Sequence, residues 1–384
     1  MRDEMNSNQL DHNISFESSI DWLLDSFKIN EGAGSSGWES RYFHPLRGWS
    51  LPYPETTGYI LVTLYDLLNK EKYRNDEIKS YINSSISWLL GLQLDSGAFP
   101  GGHGRYKDDF RLNSIDYIFR RKRNSIPSLF NTGQILRGLV RAFKENQSKN
   151  IFLAIERAVK FLGDSINEDG SWKKDAYAGE FSPAYFSYIA KPLIDASKII
   201  NEKKYIRSSM KSLNKIILSS NNLDLFIQSM SFPGDKIIHT HTLCYTLHGI
   251  LECYNYLDEK MINKSLDLSK KIIDDILKYY DEKQFVPGGI HNDLKPDWTY
   301  SCLTGNCQLG LILIELDEIT GQNSYISYAK AMIDYTVKHQ ASNGSIPGSY
   351  PIYGKYMSFR RPNWAIKYFI DLFLMIKRNE GNRT

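Results

Sequence analysis

Two histidines two residues apart stand in His239-Thr240-His241-Thr242, and an isolated carboxylate, Glu55, stands in Pro54-Glu55-Thr56-Thr57-Gly58-Tyr59. An imidazole serves as acid or base near neutral pH, and a glutamate moved by its surroundings can partner it. With Asp297 as a second carboxylate and Tyr185 as a further proton carrier, the candidate catalytic set is His239, His241, Glu55, Asp297 and Tyr185. The candidate substrate-binding set is Tyr59, His103, Arg105, Asn131, Gln134, Trp298, Asn306, Gln308, Tyr350, Arg360, Asn363 and Trp364. Aromatic rings mixed with amides and charges suit a sugar, which offers apolar ring faces and many hydroxyls, better than a hydrocarbon. In Gly101-Gly102-His103-Gly104-Arg105 a glycine-rich loop presents an arginine able to grip a carboxylate or phosphate. It lacks the Lys-Ser/Thr ending of a nucleotide-binding P-loop.

Each of these residues also has a structural reading. The histidine pair can cap a helix, Glu55 can pair with a helix dipole, and Asn131, Asn306 and Asn363 are of the favoured N-cap type. Thr57-Gly58, Thr132-Gly133 and Thr304-Gly305 read as structural, with the glycine letting neighbouring helices approach.

The elements that must position these residues form a repeat. Thr57, Thr132, Tyr185, Thr240, Thr304 and Asn363 each open a dense apolar run, at steps from 53 residues (132 to 185) to 75 (57 to 132). That is room for two helices and two loops per step. The runs, such as Leu243 through Leu251 and Leu309 through Leu316, are apolar on nearly all sides and read as buried helices. Before each anchor lies an amphipathic stripe, for example Ile20, Leu23, Leu24 and Phe27, or Ile155, Val159 and Leu162. Six amphipathic helices alternating with six buried ones describe an all-α (α/α)6 toroid, an inner ring inside an outer one. The chemistry belongs where the inner helices begin, because six N-termini converge there.

Three loops after amphipathic helices share a form: Leu94-Asp95-Ser96-Gly97-Ala98-Phe99-Pro100, Asn167-Glu168-Asp169-Gly170-Ser171-Trp172 and Ala341-Ser342-Asn343-Gly344-Ser345-Ile346-Pro347. The glycine supplies the φ > 0 residue of a tight turn, and the aromatic or apolar residue after it packs under the ring. Here the chain resembles the terpenoid-cyclase and protein-prenyltransferase type of α/α toroid. The combination of Tyr-Pro-Glu-Thr-Thr-Gly-Tyr, Phe-Asn-Thr-Gly-Gln-Ile-Leu-Arg-Gly and Arg-Pro-Asn-Trp-Ala is similar to an uncharacterised bacterial family often associated with surface-polysaccharide loci, from Trp38 onward. The resemblance implies a setting and supplies no mechanism. The zinc of prenyltransferases and lanthionine cyclases is not expected. The stretch Asp297 to Cys302 lacks their close Asp-x-Cys or Cys-His-Gly pattern, and Cys302 with Cys307 is not a compact zinc spacing. The acidic run of triterpene cyclases is absent, and Asp108-Asp109 sits in a polar insertion. No cofactor is expected.

At 384 residues and 42% hydrophobic, the chain can bury a large core, and a net charge of +3 argues against a polyanionic nucleic-acid partner. The basic run Arg120-Arg121-Lys122-Arg123 reads as a solvated loop. A single toroid over 14–378 is expected between polar tails at 1–13 and 379–384. The N-terminal stretch lacks the apolar core of a signal peptide, and no apolar run reaches membrane-spanning length. Cys244, Cys253, Cys302 and Cys307 fall in or beside inner helices, as reduced core thiols do. Cytoplasmic residence is the resulting expectation.

The expected function is a glycan-processing enzyme of bacterial surface-polysaccharide metabolism, acting on an oligosaccharide or lipid-linked glycan. Two mechanisms are open. In proton abstraction of the lyase or epimerase type, His239, His241 or a tyrosine is the base and Arg105, Asn131 and Gln134 steady the enolate. In glycoside hydrolysis, Glu55 and Asp297 are the acid and base. Proton abstraction is slightly preferred because the rim is rich in Tyr, His and Asn and poor in carboxylates. The alternatives are a non-catalytic glycan-binding or scaffold protein and, more weakly, an isoprenoid-handling protein.

Overall fold

The computed structural model describes residues 2–101, 126–173, 182–232 and 235–381, with side chains from residue 12 onward. The outer helices are α1 (Arg2–Lys28), α3 (Asn75–Leu92), α5 (Lys149–Asp164), α7 (Lys203–Ser219), α10 (Glu259–Lys283) and α12 (Ile326–Lys338). The inner helices are α2 (Pro54–Lys70), α4 (Leu129–Glu145), α6 (Ala190–Ile199, entered through a 3₁₀ turn Ala184–Ile189), α9 (Thr240–Leu251), α11 (Leu303–Thr320) and α13 (Asn363–Gly381). A short α8 (Leu223–Gln228) adds one turn to the fourth repeat. The protein is an (α/α)6 toroid. Its helices extend into the stretches expected to be tails: α1 starts at Arg2, and His12 reaches Asp334 of the outer helix α12 at 2.9 Å.

Patterning accounts for the two rings. In α11 every residue from Leu303 to Ile314 is buried, so the helix has no solvent face. In α5, Ile155, Val159 and Leu162 are buried while Glu156 and Lys160 are exposed. Inner helices approach closely where glycine allows it: a Cβ on Gly138 would lie 2.0 Å from the Gly58 carbonyl oxygen. The three matching turns hold Gly97, Gly170 and Gly344 at φ +85°, +85° and +82°, in the left-handed region. Each packs on the outer helix of the following repeat, and Gly344 lies against Ser18 of α1, which closes the outer ring.

Short strands stitch the entrances of the inner helices together. The strands are β1 (Trp38–Glu39), β2 (Phe99–Pro100), β3 (Pro127–Ser128), β4 (Ile237–His239), β5 (Gly289–His291), β6 (Pro296–Asp297), β7 (Ser301–Cys302), β8 (Ser349–Tyr350) and β9 (Arg361–Pro362). Antiparallel pairs β2–β3, β4–β5, β5–β6 and β7–β8 link the entrances of α4, α9 and α11 to neighbouring loops. The pair β1–β9 sets Trp38 opposite Pro362 and joins the first repeat to the last. The repeated threonines serve this stitching. Thr57 Oγ1 accepts from the Ser35 amide at 3.0 Å, and Thr132 Oγ1 accepts from the Phe99 amide at 2.9 Å.

Farther along the inner helices, ion pairs fill the ring. Arg137 makes two 2.7 Å bonds to Glu252 with its guanidinium 4.2 Å from the Tyr188 ring centre, and Lys367 meets Asp371 at 2.8 Å. All four cysteines are free and buried. Among the described residues no helix is long and apolar enough to cross a membrane, and no three His, Cys, Asp or Glu side chains gather to hold a metal ion.

Candidate functional site

Glu55 is the second residue of α2, after Pro54, whose missing N–H suits a first helical turn. A helix N-terminus favours the carboxylate, yet burial opposes it more strongly. The side chain is 9% exposed, and desolvation raises its pKa to about 7 even though the Tyr53 hydroxyl donates to Oε2 at 2.8 Å. Near neutral pH this carboxyl therefore keeps its proton about half of the time. Its charge acts on Tyr53, Tyr59, Tyr185, Tyr245 and Tyr356, whose hydroxyls are held above their usual range first by burial. A glutamate ringed by protonated phenols can exchange a proton, and the phenols can donate to a developing oxyanion.

The two histidines sit opposite at the entrance of α9. His239 ends β4 and is the N-cap residue of the helix, and His241 is its second residue. The His239 ring nitrogen Nδ1 lies 2.8 Å from the Tyr300 hydroxyl, and Nε2 lies 3.8 Å from Asp235. The His241 Nδ1–H donates to Gln308 Oε1 at 2.6 Å, which leaves the lone pair on Nε2. Burial lowers the pKa of His239 to about 4 and that of His241 to about 3, so both rings are neutral at physiological pH. Two tyrosines pack on these rings. Tyr245 lies 4.3 Å from the His241 ring, Tyr356 lies 5.2 Å from both histidine rings, and both tyrosines feel the Glu55 charge. Trp364 Nε1 donates to the Tyr356 hydroxyl at 2.8 Å, so the first turn of α13 orients that phenol.

The structure thus gathers Glu55, Tyr59, Tyr185, His239, His241, Gln308 and Trp364 at one end of the inner ring. The asparagines border it with their amides committed to neighbouring loops. Asn131 Nδ2 donates to the Pro100 carbonyl, Asn306 Nδ2 to Ser301 Oγ, and Asn363 Nδ2 to Ser35 Oγ and Thr56 Oγ1. Gln134 lies deeper, between Arg137 and the Tyr188 carbonyl.

Other expected members have partners of their own. Lys355 holds one Asp297 oxygen at 2.6 Å and Thr299 the other, at 2.6 Å from its hydroxyl and 3.0 Å from its amide. These partners keep the carboxyl ionised, below its usual range despite burial, and Asp297 stands two strands from His239 across Gly289, where its charge acts on that ring. Trp298 packs edge-on against Tyr279 and Phe285, where α10 ends. Tyr350 stacks on His339 at 3.6 Å, at the C-terminus of outer helix α12. Arg360 stacks on Phe43 at 3.8 Å beside an exposed aromatic group. His103, Arg105, the pair Asp108-Asp109 and the basic run 120–123 lie outside the described residues.

Sequence reasoning missed Tyr53, Tyr245, Tyr300, Tyr356 and Asp235. A signal existed for two of them: Tyr245 is one helical turn beyond His241, and Tyr53 immediately precedes the Pro54-Glu55 helix start.

No model of a known protein family matches the chain, and no curated protein matches it in sequence. Solved structures share its fold. A D-mannose isomerase superposes with a TM-score of 0.67 at 11% identity, over 96% of this chain and 97% of its own. A sugar epimerase from a ruminal bacterium gives 0.66 at 9% identity, over 95% and 99%. An unsaturated glucuronyl hydrolase specific for heparin gives 0.60 at 13% identity, over 94% and 98%. At such identities the likeness concerns the toroid alone, and the (α/α)6 architecture spans nearly the whole of each chain.

Proposed function

We propose that this protein is a glycan-processing enzyme that transfers protons on a sugar carbon beside a carbonyl or carboxylate, as lyases and epimerases do. The observation that carries the reading is Glu55, a buried carboxyl raised to about 7 whose charge reaches Tyr245 and Tyr356, the two rings packed on a neutral His241. A pKa near the working pH is what acid and base catalysis favours. In the proposed step, His241 Nε2 takes the proton from carbon, the C–H electron pair becomes an enolate, and Glu55 protonates the enolate oxygen. As the enol collapses, Glu55 takes its proton back from the oxygen. Delivery of a proton to the opposite face of the carbon by a tyrosine hydroxyl gives an epimer, whereas expulsion of a β-oxygen substituent, protonated by the imidazolium of His241, gives an unsaturated sugar. Burial makes His241 a weak base, so it accepts a proton only as negative charge forms beside it. The protonated Tyr59, Tyr245 and Tyr356 are placed to stabilise that charge. The sugar-acting names of the structural neighbours support the class.

Hydrolysis is a second reading, favoured by one observation: Tyr185 feels the charges of both Glu55 and Asp235. In that case Glu55 protonates the leaving oxygen and Asp235 is the carboxylate that joins it beside Tyr185. Incubation with a panel of free sugars and uronate-containing oligosaccharides, followed by NMR, separates the readings. An epimer, a ketose or an unsaturated uronate supports proton transfer. New reducing ends without either support hydrolysis, and binding without any product supports a glycan-binding protein.

A further inference from the structure

We infer that the two loops flanking the β1–β9 seam form an outer subsite for an acidic saccharide chain, beside the inner-helix entrances that gather Glu55 and His241. The inference rests on the glycan reading above and extends it to the class of substrate. The first loop, 40–53, runs from β1, whose Glu39 stands opposite Arg361, into α2, and the second, 349–361, leads into α13. Together they carry Arg41, Arg47, Lys355, Arg360 and Arg361 and contain no aspartate or glutamate. Lys355 is neutralised by Asp297. Arg41, Arg360 and Arg361 make no ion pair among the described residues, and Arg361 Nε is buried without a hydrogen-bond partner.

On this basic ground lies a rigid pile of exposed rings. Tyr42 is 72% exposed and stacks on Phe359 at 5.2 Å with 22° between the planes, and Phe43 meets Tyr42 edge-on at 4.9 Å. The Arg360 guanidinium covers Phe43 at 3.8 Å and lies 5.6 Å from Trp38. Phe359 is held at φ +57°, a left-handed conformation costing roughly 1 kcal/mol for a residue with a Cβ. The Ser40 hydroxyl, donating to the Phe359 carbonyl at 2.6 Å, ties that turn to the other loop. Flat exposed rings preset beside unpaired guanidinium groups match a sugar's apolar face and its anionic substituent together.

The loop shared with the site favours a saccharide over other anionic surfaces. Tyr356 turns inward to Trp364 and the histidines, and Phe359, three residues later on the same loop, turns outward to Tyr42. A chain whose reacting unit lies beside Glu55 would emerge across this shelf.

Calorimetric titration of the full chain with an oligogalacturonate hexasaccharide, a heparin-derived hexasaccharide, cellohexaose and anionic phospholipid vesicles tests the inference. Binding of either acidic hexasaccharide, weakening with added salt and absent for cellohexaose, is expected. Tyr42→Ala should weaken it about tenfold, within the range of a central aromatic contact. Arg360→Lys should also weaken it, because lysine keeps the charge and loses the stacked fork. Tyr42 is exposed enough that its loss leaves the thermal midpoint unchanged. Equal affinity for cellohexaose, wild-type affinity in both variants, or binding of vesicles and no saccharide would each overturn the shelf. Those outcomes leave the glycan reading standing if sugar products form; absence of any product in the sugar panel defeats that reading by itself.

Discussion

The Tyr53 hydroxyl donates to Glu55 Oε2 at 2.8 Å across the first turn of α2. This bond favours the ionised carboxylate, and burial still holds the pKa near 7, so desolvation is the larger effect. Tyr53→Phe should therefore raise the Glu55 pKa further. The pH profile of turnover reads the shift: its Glu55-dependent limb should move to higher pH in the variant.

Glu55 also makes a stability prediction. Its folded pKa is above its unfolded value, so stability is fully present below about 4.5 and is lost as pH rises toward 7. A shift from 4.5 to about 7 corresponds to roughly 3 kcal/mol. Glu55→Gln should be more stable than wild type at pH 8, by about 1–3 kcal/mol in urea denaturation, and should lose about two orders of magnitude or more in turnover. Equal stability at that pH would remove the buried, raised carboxyl from the account.

The histidines act in the opposite direction. With folded pKa values near 4 and 3, His239 and His241 contribute stability above about 6.5 that is lost as pH falls toward those values. Acid unfolding monitored by near-ultraviolet circular dichroism should shift to lower pH in His241→Gln, an uncharged replacement that can keep a hydrogen bond to Gln308.

The inner ring is fixed by a backbone approach that tolerates no added atom. Gly138→Ala would place a methyl 2.0 Å from the Gly58 carbonyl oxygen, and both partners are inner-helix backbone. It should cost about 3 kcal/mol, at the upper end of ordinary overpacking. The urea midpoint checks this, and a wild-type midpoint would mean that α2 and α4 are not held as described.

The ring architecture was legible from the sequence because it depends on patterns that survive without detail. Apolar runs after Thr57, Thr240 and Thr304, stripes such as Ile155, Val159 and Leu162, and glycines at turn positions each have a local cause. The entrance residues were legible as a level in the fold and less so as individuals. Glu55, His239 and His241 meet there because they lie within the first turns of α2 and α9. Asp297 and Trp298 precede their inner helix by several residues, and strand β6 and the turn to Thr299 place one against Lys355 and the other against Tyr279. Tyr300 and Tyr356 reach the site through loop paths whose course no residue pattern announces. The terpenoid-cyclase resemblance rested on turn glycines, and those turns serve ring closure, a need any toroid of this kind has.

The central claim is that Glu55 and His241 move a proton to and from a sugar carbon. Incubating the protein in deuterated water with a sugar that the panel identifies as a substrate, and following its C–H signals by NMR, measures this directly. An epimer or ketose should carry deuterium in place of one carbon-bound hydrogen and an unsaturated product should simply have lost that hydrogen, with either change abolished in both Glu55→Gln and His241→Gln. Product formed with every carbon-bound hydrogen retained would contradict the account.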